Sequence, residues 1–332
     1  MKKNNQSPFF SIVVPVCKTE QYLEQCLTSI KNQKFNNFEC HVVNDGSSGV
    51  DLEKFSQNQD DNWHHKVNLN KVEKQNQIKA IFDQIVGSDK RFIYHQKPNG
   101  GLSSVRNYIR DKLNGEWLIT IDADDWVKPT HLQKFADAIK LHNNPNDIVV
   151  STKVKFYNGD QTEYPKPTEV EQVTLANLIH IPRAIQWGYV SKVKTIQNHK
   201  LHSDERVGPG PAREDKLIGH GFDDIIYAWK YFEAVANDNN NCEFNFTDLE
   251  LDTYMFRSVD RENKDKIINN SDIQNADYMK TLALKNKFIS VKIVGLLFPI
   301  YVRLLTSHNQ IASKYLVKLA AFPMRLVSRF YF

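Results

Sequence analysis

Three aspartates stand together at Asp122-Ala123-Asp124-Asp125, directly after the apolar run Trp117-Leu118-Ile119-Thr120-Ile121. Carboxylates this close repel one another unless a cation lies between them. Hard oxygen donors of this kind suit Mg²⁺ or Mn²⁺, which hold one or two carboxylates and complete their shell with phosphate oxygens. Two more polar clusters also follow apolar runs: Asp45-Gly46-Ser47-Ser48 and Asn99-Gly100-Gly101. On a parallel sheet all three would share the carboxyl edge, where ligands bind. A turn with a helix cap uses aspartates too. The chemical reading therefore rests on the position of the triplet after a strand and on Trp126 behind it.

Those clusters require strands to deliver them. Phe10 to Val16 is short, apolar and β-branched, the pattern of a buried strand. Thr19 to Asn32 reads as a helix, with Tyr22, Leu23, Cys26, Leu27 and Ile30 on one face and Thr19 as N-cap. Phe38 to Asn44 and Arg91 to His95 read as further strands. Ser103 or Ser104 opens a helix to about Leu113. Glu116 to Ile121 is a fourth strand, Trp126 to Leu141 contains a helix, and Asp147 to Phe156 is another strand. Between Val50 and Lys90 the pattern of Val72, Ile78, Ile81, Phe82, Ile85 and Val86 predicts one helix. Phe222 to Val235 can be helical, and Asn237 to Asn241 reads as a turn. Strands alternating with helices imply an α/β fold with a mostly parallel central sheet flanked by helices.

Composition narrows the class. With 41% hydrophobic and 25% charged residues over 332, the chain is globular and neither disordered nor fibrous. Its four cysteines show no CxxC spacing, which fits reduced thiols. The net charge of +4 is uneven: from Tyr278 to Phe332 there is no Asp or Glu, against six Lys and three Arg. Lys2 and Lys3 before an apolar run resemble a secretory leader, but Pro15 and Lys18 interrupt it. The longest uncharged run in the tail, Ile293 to Val302, is far short of the ~20 residues a spanning helix needs.

The chain resembles the family 2 glycosyltransferases, which are inverting, nucleotide-sugar-dependent enzymes of the GT-A fold (Rossmann-like). The resemblance lies in Ser11-Ile-Val-Val-Pro-Val16, Tyr22-Leu-Glu-Gln-Cys-Leu-Thr-Ser-Ile30, Val43-Asn-Asp-Gly-Ser-Ser48, Asn99-Gly-Gly-Leu-Ser-Ser-Val-Arg-Asn107 and Gly115-Glu-Trp-Leu-Ile-Thr-Ile-Asp-Ala-Asp-Asp-Trp126. A weaker match continues through Trp187-Gly-Tyr, Phe222 to Tyr227 and Tyr254 to Arg257. The resemblance implies a catalytic domain over 1–265, with a nucleotide half to about 135 and an acceptor half from about 136, and it leaves 266–332 outside. It implies that Pro15 and Val16 line the nucleotide pocket, that Asp45 accepts from uracil, and that Asn99 and Arg106 reach the nucleotide and diphosphate. Asp122 and Asp124 become the DxD pair, with Asp124 the direct ligand of Mn²⁺ or Mg²⁺. Asp125 faces the donor sugar. The catalytic base of the family sits in a Glu-Asp pair opening a helix. Here that pair reads Asp223-Asp224, which makes Asp224 the base, with Asp215 of Glu214-Asp215 as its rival. Cys17-Lys18 departs from the aromatic and Asn found in the family. Trp187 either stacks on a sugar or packs in the core, and Asp223 is placed near the acceptor.

On this resemblance the expected reaction moves a hexosyl or N-acetylhexosaminyl group from a UDP-sugar to a glycan or lipid-linked acceptor, in bacterial surface polysaccharide or lipooligosaccharide synthesis. Phe288 to Phe332 alternates apolar clusters with Lys292, Arg303, Lys314, Lys318, Arg325 and Arg329. That pattern fits helices lying in an anionic membrane interface, on the cytoplasmic face of the inner membrane, or a helical subdomain or oligomer contact. Nucleic acid is not an expected partner, since no recognition module accompanies the charge. Two other functions stay open. One is a non-catalytic nucleotide-sugar-binding or membrane scaffold. The other is a nucleotidyltransferase, which would carry a Gly-rich basic loop near the N-terminus, and no such loop is found there.

Overall fold

Alternate residues of the first strand feed opposite cores. Phe10, Ile12, Val14 and Val16 pack with Leu23, Leu27, Ile81 and Phe135, whereas Val13 joins Val105, Ile109 and Trp229. A strand buried on both faces reads as a continuous apolar run, which is why the period-2 signal is weak there. The computed structural model describes residues 7–47, 73, 76–141, 147–150, 155–157, 172–176, 178, 190–211, 223–248, 254–257 and 270–306.

In chain order the strands are β1 (Phe10–Val16), β2 (Phe38–Asp45), β3 (Phe92–Lys97), β4 (Trp117–Thr120), β5 (Trp126–Val127), β6 (Asp147–Val150), β7 (Lys155–Tyr157), β8 (Gln172–Thr174), β9 (Ser191–Lys192), β10 (Glu243–Asp248) and β11 (Tyr254–Arg257). The helices are α1 (Glu20–Lys31), α2 (Gln77–Val86), α3 (Leu102–Ile109), α4 (His131–Leu141), α5 (Val193–Asn198), α6 (Asp223–Asn239), α7 (Asn270–Leu284) and α8 (Ile289–Thr306).

The central sheet has the order β3-β2-β1-β4-β9. Its first four strands are parallel and β9 runs antiparallel to β4. The carboxyl ends of β1, β2, β3 and β4 therefore share one edge. Two smaller three-stranded sheets lie beside it, β6-β10-β8 and β5-β11-β7. The mostly parallel α/β arrangement agrees with the fold class expected from the alternating pattern.

Several local expectations change. Thr19 precedes α1 but makes no capping bond, and its hydroxyl is buried without a partner. The Ser103 helix begins at Leu102, behind Gly101, and tightens into a 3₁₀ turn at Arg110–Lys112. The helix expected within Trp126 to Leu141 is there as α4, and Trp126 and Val127 before it pair with β11. The single strand expected over Asp147 to Phe156 is two strands, since β6 pairs with β10 and β7 with β11. α6 runs on to Asn239, through the turn expected from Asn237.

A candidate donor and metal site at the carboxyl edge

The three aspartates form a turn leaving β4, closed by the Asp125 amide donating to the Asp122 carbonyl at 3.0 Å. Helix α1 holds this turn from behind. The Cys26 thiol donates to the Asp122 carbonyl at 3.6 Å, the Ser29 hydroxyl accepts from the Val127 amide at 3.2 Å, and the Gln33 side chain bonds the Lys128 carbonyl and the Leu132 amide. Cys26 and Ser29 are three apart, which places them on one face of α1, and Gln33 follows just beyond its end. Burial above all, then the nearby Cys40 and the three aspartates, keeps the Cys26 thiol well above its ordinary pKa. It is therefore a neutral donor at physiological pH.

Oxygens of Asp122, Asp124 and Asp125 lie within 4.8 Å of one another. Oxygens sharing one Mg²⁺ or Mn²⁺ lie about 3 to 4.5 Å apart, so the cluster matches a divalent ion after a small closure. Asp125 is buried, and its two companions are half-buried and face outward. A hard, partly open carboxylate set of this type fits a cation that also takes ligand oxygens.

Asp45 ends β2 directly beside Lys97 in the parallel register. Its carboxylate accepts from Lys97 Nζ at 2.5 Å, from the Gly100 amide at 3.0 Å and from the Gly101 amide at 2.8 Å. Two glycines make this geometry possible. Gly46 has φ +65°, and a Cβ there would meet the Asn99 nitrogen at 2.4 Å. Gly101 has φ +83°, and a Cβ there would meet the Pro209 carbonyl oxygen at 2.2 Å. Left-handed backbone and close approach both exclude a side chain. Asn99 itself is exposed at the rim, with its amide 3.5 Å from Cys17 Sγ. Lys97 was not among the residues expected here. It lay beyond the strand expected to end at His95, and the observed β2–β3 register is what sets it beside Asp45.

Arg106 on α3 is buried and turned toward α6. It donates to Asp223 at 2.8 Å and also to Asp224, and its guanidinium lies 5.4 Å from the centre of the Tyr227 ring. Both carboxylates open α6, where the helix dipole favours negative charge. Burial raises the Asp224 pKa, Arg106 opposes that rise and the Asp223 charge adds to it; the net direction is upward. Tyr227, one turn after Asp224, was likewise not anticipated, although the i,i+3 spacing on α6 places it on the same face.

Pro15 lines a small cavity with Val13, Thr120, Arg106 and Tyr227, so β1, β4, α3 and α6 meet there. Val16 has no exposed surface and packs in the core. Trp187 and the Glu214-Asp215 pair lie outside the described residues. His199 bonds Asp238 at 2.8 Å on the surface, away from this edge.

A parallel sheet with a metal-capable carboxylate turn and a glycine-shaped loop at one edge defines a nucleotide-type α/β site. The chain belongs to the family described as Glycosyl transferase family 2, which matches residues 11–87 and 73–200. It is 27% identical to EpsH of Bacillus subtilis over 203 residues, covering 59% of this chain and 50% of that one. It is 29% identical to the glycosyltransferase GlyA of Streptococcus pneumoniae over 154 residues, covering 46% of this chain and 18% of that one. The chain thus spans half or less of these relatives. Its fold is similar to S. aureus TarS 1-349 in complex with UDP-GlcNAc, with TM-score 0.54, 15% identity, 96% of this chain and 81% of that chain. It is also similar to a mannosyltransferase of Pyrobaculum calidifontis in complex with GDP-Man and Mn²⁺, with TM-score 0.51, 12% identity, 98% of this chain and 76% of that chain.

Proposed function

We propose that the chain transfers a hexosyl or N-acetylhexosaminyl group from a UDP-sugar to a hydroxyl of a glycan or lipid-linked acceptor, with inversion. The observation that carries this reading is Asp224. It is a partly exposed carboxylate with a raised pKa, tied by Arg106 to the helix that follows Asn99-Gly100-Gly101. A carboxylate whose pKa is raised above its ordinary value is suited to take a proton from an attacking hydroxyl, and such a base contributes about 10²- to 10⁴-fold. Direct attack with one base requires no covalent intermediate and inverts the anomeric centre. UDP as the nucleotude is favoured by the TarS complexes, named with UDP and with UDP-GlcNAc.

In this reading Asp124 and Asp122 would hold Mn²⁺ or Mg²⁺, which would supply positive charge against the departing diphosphate. Asp125 faces the donor sugar, Pro15, Asp45 and Asn99 shape the nucleotide side with Val16 packed in the core behind them, and Arg106 stands between the diphosphate and the base. Asp223 and Trp187 serve the acceptor side, and Asp215 is the alternative base. The catalytic unit is 1–265, divided near 135, and 266–332 attaches it to the cytoplasmic face of an inner membrane. No helix of the described residues is long and apolar enough to cross a bilayer. The reading is tested by measuring UDP release across a panel of UDP-sugars with GDP-mannose as comparison, and by NMR of the product linkage. Release from one UDP-sugar with an inverted linkage supports it. A retained linkage, or turnover of GDP-mannose alone, contradicts it.

A further inference from the structure

Among the described residues, the C-terminal hairpin has one face packed on the protein and one that is not. On α8, Val291, Val294 and Phe298 are buried in the same core as Ala276, Met279 and Ala283 of α7. Gly295 lets the helices touch: a Cβ there would meet the Ala283 Cβ at 2.3 Å. The turn between them is pinned to α6 and the turn that follows it, with Asn286 donating to Glu233 at 2.6 Å and Lys287 to Asn240 at 3.1 Å. α8 is therefore a seated helix, and its outward face is a defined surface.

On that face Ile289 is 68% exposed, Leu296 45% and Ile300 53%. Their spacing of seven and four keeps them in line. At 100° per residue they share an arc of about 100° with Ile293, Lys292 and Arg303, the two cations falling along one border. Three exposed branched aliphatics in one line are unusual on a protein surface and mark a contact. Arg303 bonds Asp277 at 2.5 Å with both groups half exposed, and Asp277 is the last acidic residue of the chain.

We infer that this face of α8 is the surface that lies against an anionic lipid bilayer, with Ile289, Leu296 and Ile300 entering the headgroup–acyl boundary and Lys292 and Arg303 at the phosphate level. The inference rests on the peripheral-membrane reading above and assigns it to one helix face. An apolar stripe bordered by cations matches that boundary in both polarity and charge. Packing against a second copy would set two cation-bordered stripes together, with no acid on α8 to meet them and Asp277 of α7 already held by Arg303.

The test uses the full chain, vesicles of phosphatidylcholine alone or mixed with phosphatidylglycerol, and the triple variant Ile289→Glu/Leu296→Glu/Ile300→Glu. The wild type should sediment with the anionic vesicles, and less so at high salt. The triple variant should lose at least about tenfold in partitioning while keeping its melting temperature and its UDP release. Should the triple variant melt early, Ile289→Asn/Ile300→Asn gives the milder comparison. Binding by the folded variants equal to wild type would overturn the assignment to α8 while leaving attachment elsewhere in the chain. A wild type that ignores anionic vesicles yet releases UDP would overturn membrane attachment alone. A wild-type dimer that the variant splits, with no vesicle binding, would show a second copy on this face instead.

Discussion

Arg106 donates to Asp223 at 2.8 Å across 117 residues of sequence, and the same guanidinium holds Asp224. One side chain on the helix after Asn99-Gly100-Gly101 thereby fixes the first turn of α6. Arg106 and Asp223 are both almost fully buried, so neither charge has water to fall back on. Removing one partner of such a pair costs about 3–5 kcal/mol, because the other is left uncompensated.

That arrangement has a pH signature. Arg106 holds the Asp224 pKa down against the burial that raises it. A base must be ionised to act, so activity falls as pH drops through its pKa. Arg106→Met removes the cation, raises the Asp224 pKa further and should move the acidic limb of the kcat profile to higher pH. An unmoved limb in a folded variant would show that Asp224 does not limit that side of the profile.

Asp224→Asn should lower transfer by at least about 10²-fold while UDP affinity, read by calorimetry, stays within a few-fold of wild type. Transfer at the wild-type rate would remove Asp224 from the role of base, and Asp215→Asn would then be the variant to make.

Glu39 supplies a prediction about the scaffold. Although burial works against it, hydrogen bonds from His41, Ser11 and Asn114 lower its pKa from 4.5 to about 2. A lowered carboxylate pKa stabilises the fold above the unfolded value, and that contribution is lost as pH falls through the folded one. The window is therefore from about 4.5 down to about 2, and the contribution at neutral pH is about 3 kcal/mol. Glu39→Gln should lower the stability at pH 7 by that order and flatten its fall in this window. Equal slopes for the two proteins in acid unfolding would contradict it.

Gly101→Ala should open the edge of the site. Its Cβ would strike the Pro209 carbonyl in a left-handed backbone, so the loop after β3 or the one around Pro209 must move. Weaker UDP binding with an unchanged fold by circular dichroism is the expected result, and unchanged affinity would place that loop away from the nucleotide.

The central sheet was legible because β1, β2 and β4 are largely buried runs separated by turn residues, and because parallel strands with helical crossovers leave few topologies. The carboxylate turn was legible for the same reason, since it ends an apolar strand. Contacts between distant segments were not. Nothing in the spacing of Arg106 announces a partner 117 residues later, and Cys26 and Ser29 read as ordinary helix positions, with Gln33 just after the helix, until the turn they hold is seen. The split of Asp147 to Tyr157 into β6 and β7 was hidden because both pieces are strands, and only their partners differ. Thr19 misled because its position after a strand and before a helix is that of a cap, yet its hydroxyl is buried without a bond.

The most direct measurement is UDP release from the responsive UDP-sugar by wild type and Asp124→Asn, each titrated with Mn²⁺ after EDTA treatment. The account predicts that wild-type release vanishes in EDTA and returns with Mn²⁺. In Asp124→Asn, release should stay at least about tenfold lower at saturating donor, or require much more metal. Release by wild type that is indifferent to EDTA, or an identical Mn²⁺ titration in the variant, would contradict the carboxylate turn as the metal site.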